Sequence, residues 1–470
     1  MTIKNPDHYF CLVLFMTLLL SGVARCAEDG LCDQQDLSVP HILSASGHDK
    51  KQYQALIDLL LEQRALSIDA SPVIDAFAAC AVRFAVEHPD FEKLSAYVQG
   101  DELHMRYADR SATIKKSRLA SLPSLVNKSL SSLHIRDEKF SSSLWFLWTE
   151  AALAATHQKF NSYIYVDQLE TSDAIGSGLS QSVGFLPSLH DNLMRVRKVI
   201  DPALIKAGLS AGDLVKSLSS ESVDPEGLSA WWTQERPFTY SLVFARQGKD
   251  IPGIYQSVPF IHTSAYALAI KKIKYIRIDF FSERTDIEFS RLMRDIDSYS
   301  AIVLDLRNNG GGVVSPGVID YFVKPAQLTL VYRERNGPLV RRPGSMVYVD
   351  KPIAILINAE SASMSEIAAA MLQSQKRAIV IGQNSFGKAV GQTKMGVGKE
   401  GEILLVNHEY FYADGKSNWM NNGVVPDIPV KISPEESDKV TDALLEDKVN
   451  LDELIGFDSV LNTALHTLGE

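Results

Sequence analysis

The segment from Lys351 to Gln392, KPIAILINAESASMSEIAAAMLQSQKRAIVIGQNSFGKAVGQ, constrains this chain more than any other. Two short β-branched runs, Pro352 to Ile357 and Ala378 to Ile381, are bounded by turn residues, as strands buried on both faces are. The Ala-rich SEIAAAMLQSQ between them favours helix. A right-handed crossover then sets the two strands side by side and parallel. Ser361, Ser363 and Ser365 fall where the chain leaves the first strand and the helix begins. Backbone N–H groups point outward at such a place and favour negative charge, which suits a nucleophile whose reaction builds an oxyanion. Lys388 follows Gly387 just beyond the second strand, so its amine can return across the strand ends toward that turn. Taken singly, serines before a helix are caps, Glu366 is a first-turn carboxylate matched to the helix dipole, and a lysine after a strand is a solvated charge. The set says more than its members.

SASMSE followed by SFGKAVGQ resembles the signature of the tail-specific, or carboxyl-terminal processing, serine peptidases of family S41. The resemblance implies that Ser363 is the nucleophile, that Lys388 in the F-G-K turn is the base, and that Gln392 is the third catalytic position. Lys388 follows Ser363 by 25 residues, the separation the resemblance leads one to expect. The segment DLRNNGGG is also similar to the family's, and implies an oxyanion hole made by the N–H groups of Gly312 and Met364, with Asp305 and Arg307 fastening the loop. GVVPDIPV resembles the family's close. The sequence departs from the pattern at Met364, where Ala is frequent, and at Ala389, where Gly is frequent; the bulk of Met364 is expected to narrow the acyl pocket.

The residue types fit that chemistry. A serine hydroxyl is a poor nucleophile until a base takes its proton. Lysine serves only when neutral, so burial has to bring its pKa down from about 10.4. A competing motif uses the same lysine: GQNSFGK, from Gly382, satisfies the G-x-x-x-x-G-K part of a phosphate-binding loop, and AIVLD ending at Asp305 would pass for a magnesium-holding strand. Ala389 stands where that loop needs Ser or Thr, and AVGQTKMGVG is too rich in Gly and β-branched residues for the obligatory helix. His408 is a weaker candidate base than Lys388.

A length of 470 residues suggests two to four domains, and 46% hydrophobic residues supply real cores. A net charge of −10 argues against a nucleic-acid partner. Residues 1–26 read as a secretory signal peptide, with an apolar stretch from Phe10 to Leu20 too short for a comfortable membrane span. A periplasmic or secreted protein with no span in the mature chain follows. Arg25 disfavours lipidation at Cys26, and Cys32 and Cys80 either pair in an oxidising compartment or remain thiols. Residues 27–171 form a helical N-terminal domain, of which 102–140 reads as polar and irregular. Residues 172–260 resemble a PDZ domain, through RVRKVIDPALIKAGLSAGDLVKSL, with Trp231 and Trp232 as packing residues. Residues 261–432 are the catalytic domain, and 433–470 an acidic, helical, solvated tail. The fold class is therefore multidomain, α/β and α+β, and the resemblance implies a ClpP/crotonase-like α/β core.

The eleven histidines, His157 among them, show no metal-ligand spacing, and no metal or cofactor is called for. The function expected is an exported Ser-Lys endopeptidase acting on unfolded proteins or C-terminal tails gated by the PDZ-like domain. Its partners are polypeptide substrates, with homo-oligomerisation left open. A second reading is a non-catalytic peptide- or ligand-binding protein on the same fold.

Overall fold

The serine turn follows Ile353–Ile357, an interior strand of a six-stranded sheet. A computed structural model describes residues 50–469, apart from 64, 67–68, 88–92, 135–137, 157, 159, 165–172, 174–175, 191–192, 221–235, 247, 336, 345–347, 398–400 and 445–450. The signal segment, Cys26, Cys32, His157, Trp231 and Trp232 lie outside the described residues. Ile353–Ile357 and Ile379–Gly382 are parallel neighbours, with Ala354 opposite Ile379 and the helix Met364–Ser374 as their crossover. Ala301–Asp305 and Ile273–Ile278 continue the parallel order on one side, Ala265–Ile270 closes it antiparallel, and Ile428–Pro429 forms the other edge. Ala301–Asp305 and Ile353–Ile357 are buried at every residue, which is why their sequences are unbroken runs instead of alternating ones.

Alternate residues of each strand serve opposite faces. Ile302 and Leu304 pack with Phe289, Ile367 and Met371 on the face covered by the helices Thr285–Leu292 and Met364–Ser374. Ala301 and Val303 pack on the other face with Val440, Leu444, Leu454, Leu461 and Leu465. That second face corrects the expectation of a solvated tail. Helices Pro434–Leu444, Leu451–Ile455 and Ser459–Thr467 close the sheet, and the stripe Val460, Leu461, Ala464, Leu465 is the apolar face they bury.

Residues 172–260 contain an antiparallel sheet of five strands, in the order Lys249–Gln256, Thr239–Arg246, Leu214–Ser219, Leu193–Val199, Phe185–His190. A separate pair joins Leu179–Ser182 to Val258–Ile261. The short helix Pro202–Lys206 is capped by Asp201, which accepts from the N–H of Ala203 at 2.8 Å, and its Leu204 enters a core with Val183, Phe185, Val196 and Phe244.

The chain divides into two compact units, one built from the described residues of Glu170–Gly391 and His408–Glu470, the other from those of Thr17–Leu169 and Gln392–Asn407. The second unit contains helices Lys50–Glu62, Ser71–Glu87, Leu122–Ser132 and Glu138–Ala154, with Phe77 stacked on Trp148 at 3.8 Å between ring centroids. Its polar stretch is not irregular. Leu94–Gln99, Glu102–Tyr107 and Arg110–Lys115 form a three-stranded meander, turned at Gly100-Asp101 and Ala108-Asp109, where Gly100 and Ala108 adopt positive φ. Cys80 is disulfide-bonded, to a partner outside the described residues. Among the described residues no helix is long and apolar enough to cross a membrane.

Candidate active site

Strand, turn and helix together decide what the three serines can do. Ser361 donates its hydroxyl to the carbonyl of Leu306 at 2.8 Å, and Ser365 donates to the carbonyl of Asn309 at 2.9 Å. Both are fully buried and fasten the serine turn to the loop that follows Ala301–Asp305. Ser363 differs: it is half-buried, holds φ 54° and ψ −114°, and is the N-cap of Met364–Ser374. A non-glycine residue with that backbone is strained by roughly 1–3 kcal/mol and persists only where its surroundings over-determine it. The same geometry, a sharp strand-to-helix turn, lifts a nucleophile clear of the sheet.

The surroundings here are two turns. Asn309 holds the first, accepting from the N–H of Ala362 through its carbonyl at 3.0 Å, while its own Oδ1 accepts from the N–H of Gly311 at 2.8 Å. Gly311, at φ 96°, lies directly against the serine turn: a Cβ there would come within 2.6 Å of the Ser363 Cβ and 2.9 Å of the Met364 nitrogen. The glycine that admits this close approach is therefore Gly311, one residue before Gly312. Gly312 is exposed at φ 132° and bridges in parallel to Phe281, whose N–H donates to the carbonyl of Gly311 at 2.8 Å. The N–H groups of Gly312 and Met364 donate to no acceptor among the described residues.

Glu366 holds the second turn, and sequence reasoning gave it only a helix-dipole role. Its buried carboxylate accepts from the N–H of Ser363 at 2.9 Å, the hydroxyl of Ser385 at 2.5 Å, the N–H of Gly387 at 2.7 Å and the N–H of Lys388 at 2.8 Å. One side chain thus ties the serine turn to the F-G-K turn. The F-G-K turn is fixed from its other side as well: Val424 donates to Ser385 Oγ at 2.6 Å and Phe386 to the carbonyl of Ser361 at 3.0 Å. Lys388 is 5% exposed, and burial pushes its amine down to about 8, against the opposing pull of the Glu366 charge.

Asp305, fully buried, accepts from the backbone and guanidinium of Arg307 and from Tyr275, and Arg307 reaches on to Asp458, the cap of Ser459–Thr467. These residues anchor the base of the glycine loop to the C-terminal helices. Met364 is fully buried in the core with Ile367 and Met371. Ala389 is likewise buried, and its carbonyl accepts from Tyr410. The residues after Lys388 form a strand, Val390–Val397, which excludes the helix a phosphate-binding loop requires. His408 packs among Tyr332, Tyr410 and Glu334. Gln392 belongs to the second unit, where its side-chain amide donates to the carbonyl of Phe160.

Residues 272–430 match the profile of peptidase family S41. The chain is 31% identical over 302 residues to a carboxy-terminal-processing protease of Bartonella bacilliformis, covering 60% of this chain and 69% of the relative. It is 27% identical over 246 residues to the carboxy-terminal processing protease CtpB of Bacillus subtilis, where the match covers 48% of this chain and 50% of the relative. The solved structure of a photosystem II D1 C-terminal processing protease aligns at 20% identity with a TM-score of 0.38, over 64% of this chain and 83% of that one.

Proposed function

The chain belongs to the carboxy-terminal-processing proteases of peptidase family S41, and from that premise we propose that it is an exported serine endopeptidase working through Ser363 and Lys388. The observation that carries this reading is the Glu366 carboxylate, which binds the backbone of both residues and so holds a strained serine and a buried lysine in one constellation.

In the proposed reaction neutral Lys388 takes the proton of Ser363 Oγ as that oxygen attacks the peptide carbonyl. The tetrahedral oxyanion is received by the N–H groups of Gly312 and Met364, donors with no acceptor of their own among the described residues. The Lys388 ammonium then protonates the leaving amine, the C–N bond breaks, and an acyl ester remains on Ser363. Water attacks the ester, Lys388 takes its proton, and the acid is released as Ser363 regains its hydrogen. The proposed role of Gln392 in positioning the lysine rests on its place four residues beyond Lys388 in the family motif. Export is supported by the apolar leader and by the disulfide at Cys80, since disulfides persist in oxidising compartments. The substrates proposed are unfolded proteins or protein C-terminal tails, with residues 172–260 as a PDZ-like module that adds an extended peptide to a sheet edge.

Diisopropyl fluorophosphate followed by peptide mapping tests the reading. The adduct is expected on Ser363, together with loss of casein hydrolysis; a protein that cleaves no unfolded casein and takes no adduct at Ser363 would instead be a binding protein on this fold. Gly311→Ala is expected to lower casein turnover by about 10²-fold, because a displaced loop misplaces the reacting groups. The same change is expected to destabilise the fold by about 1–3 kcal/mol, from strain at φ 96° and overlap with Ser363. Turnover assays and thermal melts read the two effects separately.

A further inference from the structure

We propose that Glu366 is a positioning residue for the reaction: its carboxylate sets the distance between the Ser363 and Lys388 turns and, as a fixed charge, governs how readily Lys388 gives up its proton. The inference rests on the Ser363–Lys388 reading above and adds to it a residue to which that reading gives no chemical role.

An ionised carboxylate offers about four acceptor sites and no donor. Here all are taken: Oε1 by Ser385 Oγ and the N–H of Gly387, Oε2 by the N–H groups of Ser363 and Lys388. Ser385 Oγ accepts from the N–H of Val424 and donates its hydrogen to the Glu366 carboxylate. Three of the four partners are backbone N–H groups, which can only donate, so the geometry favours the anion. Burial pushes the carboxyl of Glu366 up, and its four donors hold it back. The groups whose titration this charge touches are Lys388, held up by it, and Tyr412, pushed up by burial first and by Glu366 second.

Two consequences follow. Ser363 and Lys388 lie 25 residues apart in sequence, yet their main-chain N–H groups share one oxygen atom, so Glu366 removes the freedom of either turn to drift from the other. The same anion also opposes burial at Lys388, leaving the amine near neutrality where it can both accept and return a proton. A cap alone would need only the bond to the Ser363 N–H. The three bonds to Ser385, Gly387 and Lys388 go beyond capping.

The test follows the rate at which diisopropyl fluorophosphate phosphorylates Ser363, with loss of fluoride, across pH, in the wild type, Glu366→Gln and Glu366→Asp. Glu366→Gln turns two donors toward donors and removes the charge, so labelling is expected to slow by about 10²-fold. Its pH midpoint is expected to fall by roughly 1 unit, since the charge that supports protonated Lys388 is gone. Glu366→Asp keeps the charge but shortens the tie, and is expected to slow labelling by about 10-fold with the wild-type midpoint. A folded Glu366→Gln protein with wild-type rate and midpoint overturns the proposal. If that variant does not fold, Glu366→Asp decides: slowed labelling at an unshifted midpoint supports the role, and the wild-type rate overturns it. Failure of the Ser363–Lys388 reading would look different, since the wild type itself would then take no label at Ser363.

Discussion

Ser363→Ala is expected to lower turnover of unfolded casein by a factor on the order of 10⁵ to 10⁶, the scale at which losing a serine nucleophile leaves only binding and oxyanion stabilisation. Neighbouring serines cannot take over. The hydroxyls of Ser361 and Ser365 are buried and committed to the carbonyls of Leu306 and Asn309, which lock the turn. The variant is also expected to fold. Glu366 is bound by the backbone N–H of Ser363, which alanine retains, and the positive φ of 54° strains alanine much as it strains serine. Residual turnover above about a thousandth of wild type in a protein with an unchanged melting temperature would place the nucleophile elsewhere.

Lys388→Met is expected to reduce kcat/KM by about 10³-fold or more while leaving the protein at least as stable at pH 7. Burial makes the ammonium form unfavourable in the folded state, and a methionine of similar length removes that penalty. The folded amine, pushed down to about 8, binds its proton less readily than the unfolded one near 10.4. Below about pH 8 both states are protonated and the wild type carries the whole penalty; between about 8 and 10.4 the folded state has released its proton and stability rises with pH. The variant's advantage, on the order of 1–3 kcal/mol at pH 7, is therefore expected to fade over that window. Urea melts at pH 7 and pH 10 measure it. A variant that is less stable at pH 7, or equally active, contradicts the assignment of Lys388 as a buried base.

Much of the sheet that carries the serine turn was legible in the sequence, for a physical reason. AIVLD, IAILI and AIVIG announce doubly buried strands by their unbroken apolar runs, and the spacing of small residues, Ala-rich helix and F-G-K turn fixes where the serines and the lysine emerge. Glu366 was not legible in its full role. A carboxylate three residues past an N-cap satisfies a local rule on its own, and its bonds to Ser385, Gly387 and Lys388 exist only once the strands close. Three features that went unread had signals in the chain. Met364, Ile367, Ala368 and Met371 follow helical spacing on one apolar face, which sends the Met364 side chain to the core. LSAYVQ and ELHMRY around Gly100-Asp101 alternate as a hairpin does, although their charged residues suggested a loop. In the C-terminal segment the acidic residues masked the stripe Val460, Leu461, Ala464, Leu465. That Gly311 packs directly against Ser363 depends on how two loops meet, which no spacing rule carries.

The most direct measurement is the dependence of kcat/KM on pH for an unfolded peptide substrate, compared between wild type and Lys388→Met. Activity limited by neutral Lys388 rises with pH through a single midpoint at about 8, stands near a tenth of its plateau at pH 7, and loses that rise in the variant. A midpoint near 10.4, or a rise through 8 that persists in Lys388→Met, would mean that another group activates Ser363.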